Sequence, residues 1–217
     1  MIPSFEPMAG LLATLGLLQV SQAGAVTHVR LNRPAKRNAI SDTLIQQLHT
    51  CMINLPEATR AVVISGEGAH FCAGLDLAEL VERDIHGAVL HSRMWHAAFD
   101  AIQFGRVPVV AVLHGAVVGG GLELATACHI RVAEDSAYFG LPEGQRGIFV
   151  GGGGSARIPR LIGVARMSDL LALVSIKDPA GEHQIAHARH TDQAGDAGRP
   201  ATAHKDAALA LGQTEVG

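Results

Sequence analysis

Apolar and polar residues along this chain follow two alternating periods. Positions Val26–Leu31 (VTHVRL) alternate at near period two and stop at Asn32-Arg33-Pro34, which predicts a half-buried strand. Ser41 and Asp42 then offer a helix cap and a favourable first-turn charge, and Leu44, Ile45, Leu48, Met52 and Leu55 mark one helical face. Residues 61–65 (AVVIS) form a short apolar run of the kind buried in a sheet, closed by Gly66-Glu67-Gly68. Residues 71–77 read as a glycine turn leading into a short helix with Leu77, Leu80 and Val81 on its apolar side. Over 88–104, Leu90, Met94, Ala97, Ala98, Ala101 and Ile102 recur at helical spacing. Val109–Leu113 is a further buried strand, bounded by Pro108 and His114-Gly115. Three glycines, Gly119-Gly120-Gly121, open a helix over 122–128, and Ile130–Ala133 is again a strand. An extended segment over 138–143 ends in Glu143. Glycines at 151–154 precede Ser155, the predicted cap of a helix over 157–162. Strands alternating with helices predict an α/β fold.

Composition narrows the class. A chain of 217 residues with 48% hydrophobic content can bury one sizeable core. A net charge of -3 offers no basic footprint for nucleic acid. Cys51, Cys72 and Cys128 are odd in number and lack metal or redox spacing, which suits a reducing cytoplasm. No apolar run approaches the roughly 18 residues that span a membrane. Residues 10–18 look like a short signal core, but no Lys or Arg precedes Arg30, and Glu6 sits where positive charge is needed. Residues 1–23 are therefore expected to be a loose lead-in with a first edge strand.

Several places could carry chemistry. Glycines at a strand-to-helix junction let another group approach the backbone, and the first amides of the helix have no partner within it. With the helix dipole positive at that end, the junction could hold a phosphate or an oxygen that becomes negative during a reaction. Glu123 is the nearest ionisable side chain there; the plain alternative is a tight turn with a surface glutamate. Arg33, Lys36 and Arg37 lie close together at a strand exit, where they either meet a phosphorylated ligand or form a solvated cluster. Gly151-x-Gly153-x-x-Ala156 fits the loose dinucleotide pattern, but the strand before it is very short and Pro159 interrupts the first turns. His183, His187 and His190 could share a helical face, yet their Gly-, Ala- and Asp-rich surroundings favour solvated histidines, and no metal site is expected. Cys72 has no evident activating base and reads as a small packed residue.

Five stretches in order carry a more specific signal: VTHVRLNRPAKRNAI, FCAGLDLAEL, VVAVLHGAVVGGGLELATACHIRVA, YFGLPE and GGGGSARIPRLIGVARM. Through them the chain resembles the enoyl-CoA hydratase/isomerase (crotonase) family over roughly residues 24–173. The resemblance implies a spiral of β-β-α repeats that binds an acyl-CoA thioester. It implies that the thioester oxygen sits between the backbone amides of Leu75 and Gly120. It maps the two acids of the hydratases onto Glu123, which would activate water, and Glu143, which would serve the α-carbon. Lys36 and Arg37 match the loop that meets the CoA phosphates, and Ala73, Gly74, Asp76, Leu77 and Gly119 match the segments around the ligand. Coenzyme A would enter as part of the substrate, with no permanently bound cofactor. The family also implies a homotrimer or a dimer of trimers.

The resemblance stops near Ala172. Residues 174–217 hold only scattered large apolar residues, so they are expected to be a poorly ordered, low-complexity tail where the family has further helices. Hydration of a 2-enoyl-CoA is the function this reading favours. Isomerisation or another enolate reaction is the alternative within the family. An inactive CoA-binding or interaction protein is the alternative outside it.

Overall fold

A computed structural model describes residues 4–79 and 81–173, with the backbone alone of 213–215. The chain enters through β1 (Glu6–Pro7) and a 3-10 turn at Gly10–Thr14. Strand β2 (Leu18–Ala23) then pairs antiparallel along its whole length with β3 (Val26–Leu31), Leu18 opposite Leu31 and Ala23 opposite Val26. The sheet therefore begins inside the segment expected to be a lead-in, with β1 as its edge strand. Leu18 and Val20 are buried, which ties β2 to the core.

From β3 onward the main sheet is parallel. It adds β4 (Ala61–Gly66), β5 (Val109–Leu113) and β7 (Ile130–Ala133) in that order. Gln213–Glu215 runs parallel beside β7 as a last strand. The remaining expectations for 174–217, including the histidine trio, lie outside the described residues. Parallel neighbours need crossovers, and helices α1 (Asp42–Ile53) and α2 (Ile85–Gln103) supply the first two. Ser41 caps α1 as its sequence predicts, its Oγ accepting from the Leu44 amide at 3.1 Å.

A second, smaller sheet sits apart from the first. Strand β6 (Ala116–Val118) pairs parallel with β8 (Tyr138–Gly140), and Cys72 forms a bridge to Val117 on the other side. After β6 comes α3 (Gly120–Ala127), and after β8 come α4 (Gly154–Ile162) and α5 (Val164–Leu173). The chain thus repeats one cycle: a strand in the large sheet, a short strand or bridge in the small one, then a helix. This is the expected β-β-α spiral.

The core lies between the main sheet and the helices. Val29, Leu31, Val62, Ile64, Val109, Ala111 and Leu113 fill it from the strands, and Ile45, Ala98, Phe99, Ile102, Leu122 and Leu124 from the helices. Burying each of the larger side chains among these contributes about 1.5–3 kcal/mol. Two sequence expectations are corrected here. The inner face of α2 is Trp95, Ala98, Phe99 and Ile102, whereas Leu90 is exposed. Only a 3-10 turn (Leu77–Glu79) forms after Leu75, with Leu77 and Val81 exposed rather than on an apolar face.

Candidate active site

Two glycine corners meet where the small sheet gives way to α3. At the first, Gly119 takes φ 53, a conformation costly for any residue with a Cβ. Its amide donates to the Gly140 carbonyl at 2.8 Å, so the pairing of β6 with β8 extends into the corner and fixes it. At the second, Gly74 takes φ 100 and lies so close that a methyl group there would sit 3.0 Å from the Val118 carbonyl oxygen. Helix α3 can pack this deeply because a methyl on Gly121 would stand only 2.8 Å from Cys72 Cβ. The corners lie against each other, a Gly74 methyl standing 3.8 Å from Gly119 Cα, and the amides of Leu75 and Gly120 follow them in the chain. Neither amide donates a hydrogen bond to an acceptor among the described residues.

Glu123 sits one turn into α3 and is 4% exposed. Its Oε1 accepts from the Gly154 amide at 2.9 Å. The loop before α4 wraps the same carboxyl: a methyl on Gly152 would lie 3.1 Å from Oε2, and one on Gly154 would lie 2.7 Å from Cγ. Burial pushes the Glu123 carboxyl up to about 7, and the charge of Glu143 adds to the rise against the pull of the Gly154 and Gly152 amides and Arg157. Glu143 comes from the 3-10 turn Pro142–Arg146 that follows β8, not from an extended segment. Its Oε1 points at Gly119, where a methyl would lie 2.7 Å away. Its Oε2 is buried and has no hydrogen-bond partner among the described residues. Burial raises this carboxyl too. A buried, unpartnered carboxylate oxygen calls for a ligand or a proton.

The cation loop divides into two parts. Arg37 and Asn38 adopt left-handed backbone at φ 51 and 55. The loop is held by Asn38, whose side-chain amide donates to the carbonyls of Glu67 at 2.9 Å and His70 at 2.7 Å. The Arg37 carbonyl accepts from Ala73 at 3.0 Å, and Ile40 donates to the Gly74 carbonyl at 2.7 Å, so residues 37–40 run beside 73–76. Lys36 and Arg37 are exposed next to that segment. Arg33 turns inward instead and pairs with Asp76 at 2.9 Å, which holds that carboxyl below its ordinary range. Of the three neighbouring cations, two face solvent and one braces the Gly74 corner from beneath. Asp76 is the partner of that brace, while Leu77 lies exposed beyond it.

Sequence reasoning missed three residues around these acids. Trp95 presses on the α3 entrance, its ring 3.2 Å from where a Gly120 methyl would be. Phe99 meets Trp95 edge-on at 5.8 Å, and Arg157 lies over Phe99. The glycine run at 151–154, weighed as a dinucleotide pattern and as the approach to a Ser155 cap, is the wrapper of Glu123. The cap of α4 is Gly153 at φ 95, with no side-chain bond. Ser155 falls inside the helix.

This fold has counterparts among known proteins. Residues 21–179 match the family model described as enoyl-CoA hydratase/isomerase, and the chain belongs to that family. A Bacillus subtilis protein, provisionally named an enoyl-CoA hydratase, is 37% identical over 157 residues, or 71% of this chain. The chain spans 60% of that relative's length. A crystal structure from Rhodopseudomonas palustris, also provisionally named an enoyl-CoA hydratase, superposes with a TM-score of 0.72 at 55% identity, covering 82% of this chain and 70% of that one. A Thermobifida fusca relative solved in complex with CoA gives 0.69 at 26% identity, covering 83% of this chain and 74% of its own.

Proposed function

We propose that this chain adds water across the double bond of a 2-enoyl-CoA thioester. The observation that carries the reading is the meeting of two buried carboxyls, Glu123 and Glu143, beside the unengaged amides of Leu75 and Gly120. Hydration builds negative charge on the thioester oxygen, and two amides aimed at that oxygen stabilise it. Losing one such donor typically costs about 3–4 kcal/mol of barrier. Glu123, ionised, takes a proton from water as the oxygen bonds to the β-carbon. Glu143, protonated, gives its proton to the α-carbon. Afterwards the proton on Glu123 is exchanged so that Glu143 is protonated again. Burial raises both carboxyls and the charge of Glu143 raises Glu123 further, which suits this division because one negative charge between them is favoured near neutral pH. The CoA complex of the Thermobifida fusca relative supports a CoA ester as the ligand. The exposure of Lys36 and Arg37 beside residues 73–76 supports their contact with its phosphates.

Hydration of crotonyl-CoA, followed by loss of the conjugated thioester's ultraviolet absorbance, is the test. Glu123→Gln and Glu143→Gln should each lower kcat by about 10²–10⁴-fold with little change in thioester affinity. A kcat within a few-fold of wild type for either variant sinks the two-acid mechanism. Thioester binding without turnover by the unaltered chain would leave only a binding protein.

A further inference from the structure

Arg157 is a charged side chain with no part in the proposed chemistry, yet it is 8% exposed and bonded through all three of its nitrogens. Its Nε donates to Gln103 Oε1 at 2.6 Å, Nη1 to the Gly152 carbonyl at 2.9 Å and Nη2 to Asp100 Oδ1 at 3.1 Å. The guanidinium carbon stands 5.9 Å from the centre of the Phe99 ring. Asp100, Gln103 and Phe99 all belong to α2, whereas Gly152 belongs to the loop around Glu123. A methyl on Gly153 would collide with Arg157 Nη1, so this loop has glycine where the guanidinium passes. Two residues beyond Gly152, the Gly154 amide donates to Glu123. Arg157 thus reaches Glu123 through the loop backbone and also as a neighbouring charge.

We propose that Arg157 is a positioning residue for Glu123: it ties the Gly152 carbonyl to Asp100 and Gln103 of α2 and so holds both the Gly154 amide and a positive charge on the Glu123 carboxyl. The proposal rests on Glu123 as the base that activates water. The electrostatics run in the same sense. Arg157 lowers the proton affinity of Glu123, and Glu123 in turn raises that of Arg157. Glu143 acts on Glu123 in the opposite sense, and Asp100 offsets the guanidinium from the far side. Hydrogen bonds in which one partner is ionised are about twice as strong as neutral ones, so the clamp is suited to holding a glycine loop that has no side chains of its own to pack.

The test is a carbon-13 NMR titration of the Glu123 carboxyl in the full chain, set beside the pH profile of kcat/KM. Arg157→Met removes the charge and the clamp at similar volume. It should raise the Glu123 midpoint by roughly 0.5–1 on the pH scale and move the acid limb of kcat/KM up equally. KM should change less than about two-fold. Arg157→Lys keeps the charge and should recover at least half of that rise. A methionine variant in which Glu123 titrates as in wild type overturns the proposal, as do lysine and methionine variants that raise it equally. Should Arg157→Met fail to fold, Asp100→Asn reads the coupling from the other end. With its counter-charge gone, the guanidinium should draw the Glu123 midpoint below the wild-type value, and an unchanged or higher midpoint overturns the proposal. The titration needs no turnover. A chain without hydratase activity would therefore sink the functional reading while the hold of Arg157 on Glu123 stayed measurable.

Discussion

Glu123, the base of the proposed hydration, works against the stability of its own fold. Its carboxyl sits at about 7 against an ordinary 4.5, so the folded chain holds this proton more tightly than the unfolded chain does. Between those two values the folded state binds the extra proton, and stability from this group falls as pH rises through the window and stays low above it. A tenfold difference in proton affinity between the two states corresponds to about 1.4 kcal/mol, which sets an upper scale of a few kcal/mol. Glu123→Gln should therefore raise the thermal midpoint at about pH 8 and lose that advantage at about pH 5. Thermal unfolding of both proteins at the two pH values checks this, and a variant equally stabilised at both would contradict it. Catalysis carries the opposite sign. The proposed base would have to be ionised, so kcat/KM should fall with acid on a limb centred near the Glu123 value of about 7.

Between elements, the contact of α3 with the start of α4 decides whether the acid is held. Gly154→Ala would put a methyl 2.7 Å from Glu123 Cγ and 2.8 Å from Val150 Cγ1. Overpacking of this kind costs about 1–3 kcal/mol, and it should also tilt the Gly154 amide off Glu123. Tm should drop by several degrees and kcat by roughly ten-fold or more. An alanine variant with wild-type kcat would show that this amide does not matter. The same contact marks the limit of what sequence could reveal. Strands β3, β4, β5 and β7, and α1 with its Ser41 cap, announce themselves by period and punctuation. The corner at Gly119 and its acid Glu123 are legible because glycines at a strand-to-helix junction have few other uses. Strands β6 and β8 have three residues each, too few to show a period. Helix α2 offers several overlapping apolar registers, and only its packing on α1 and α3 selects Trp95, Phe99 and Ile102 over Leu90. Arg33 pairs with Asp76, and Arg157 with Asp100 and Gln103, across sequence separations that no local pattern spans.

For the molecule as a whole, charge and topology each make a demand. The chain is net negative at -3, so the proposed anionic CoA ester would be attracted only locally, by exposed cations such as Lys36 and Arg37. Replacing both by alanine should raise KM several-fold at low salt, leave kcat nearly unchanged, and lose much of its effect at high salt. An unchanged KM at low salt would show that the pair is merely solvated. Topology bears on the order in which the molecule comes together. Val62 pairs with Val109 in the large sheet and Ala116 with Tyr138 in the small one, so the strands that create the Gly74 and Gly119 corners close long loops before they gain contacts. Leu75, Gly120, Glu143 and Gly154 follow four different strands or loops, so bringing them together requires several of these long-range pairings. During refolding, helical signal should return before turnover does, and the lag between them times the closing of the spiral around its acids.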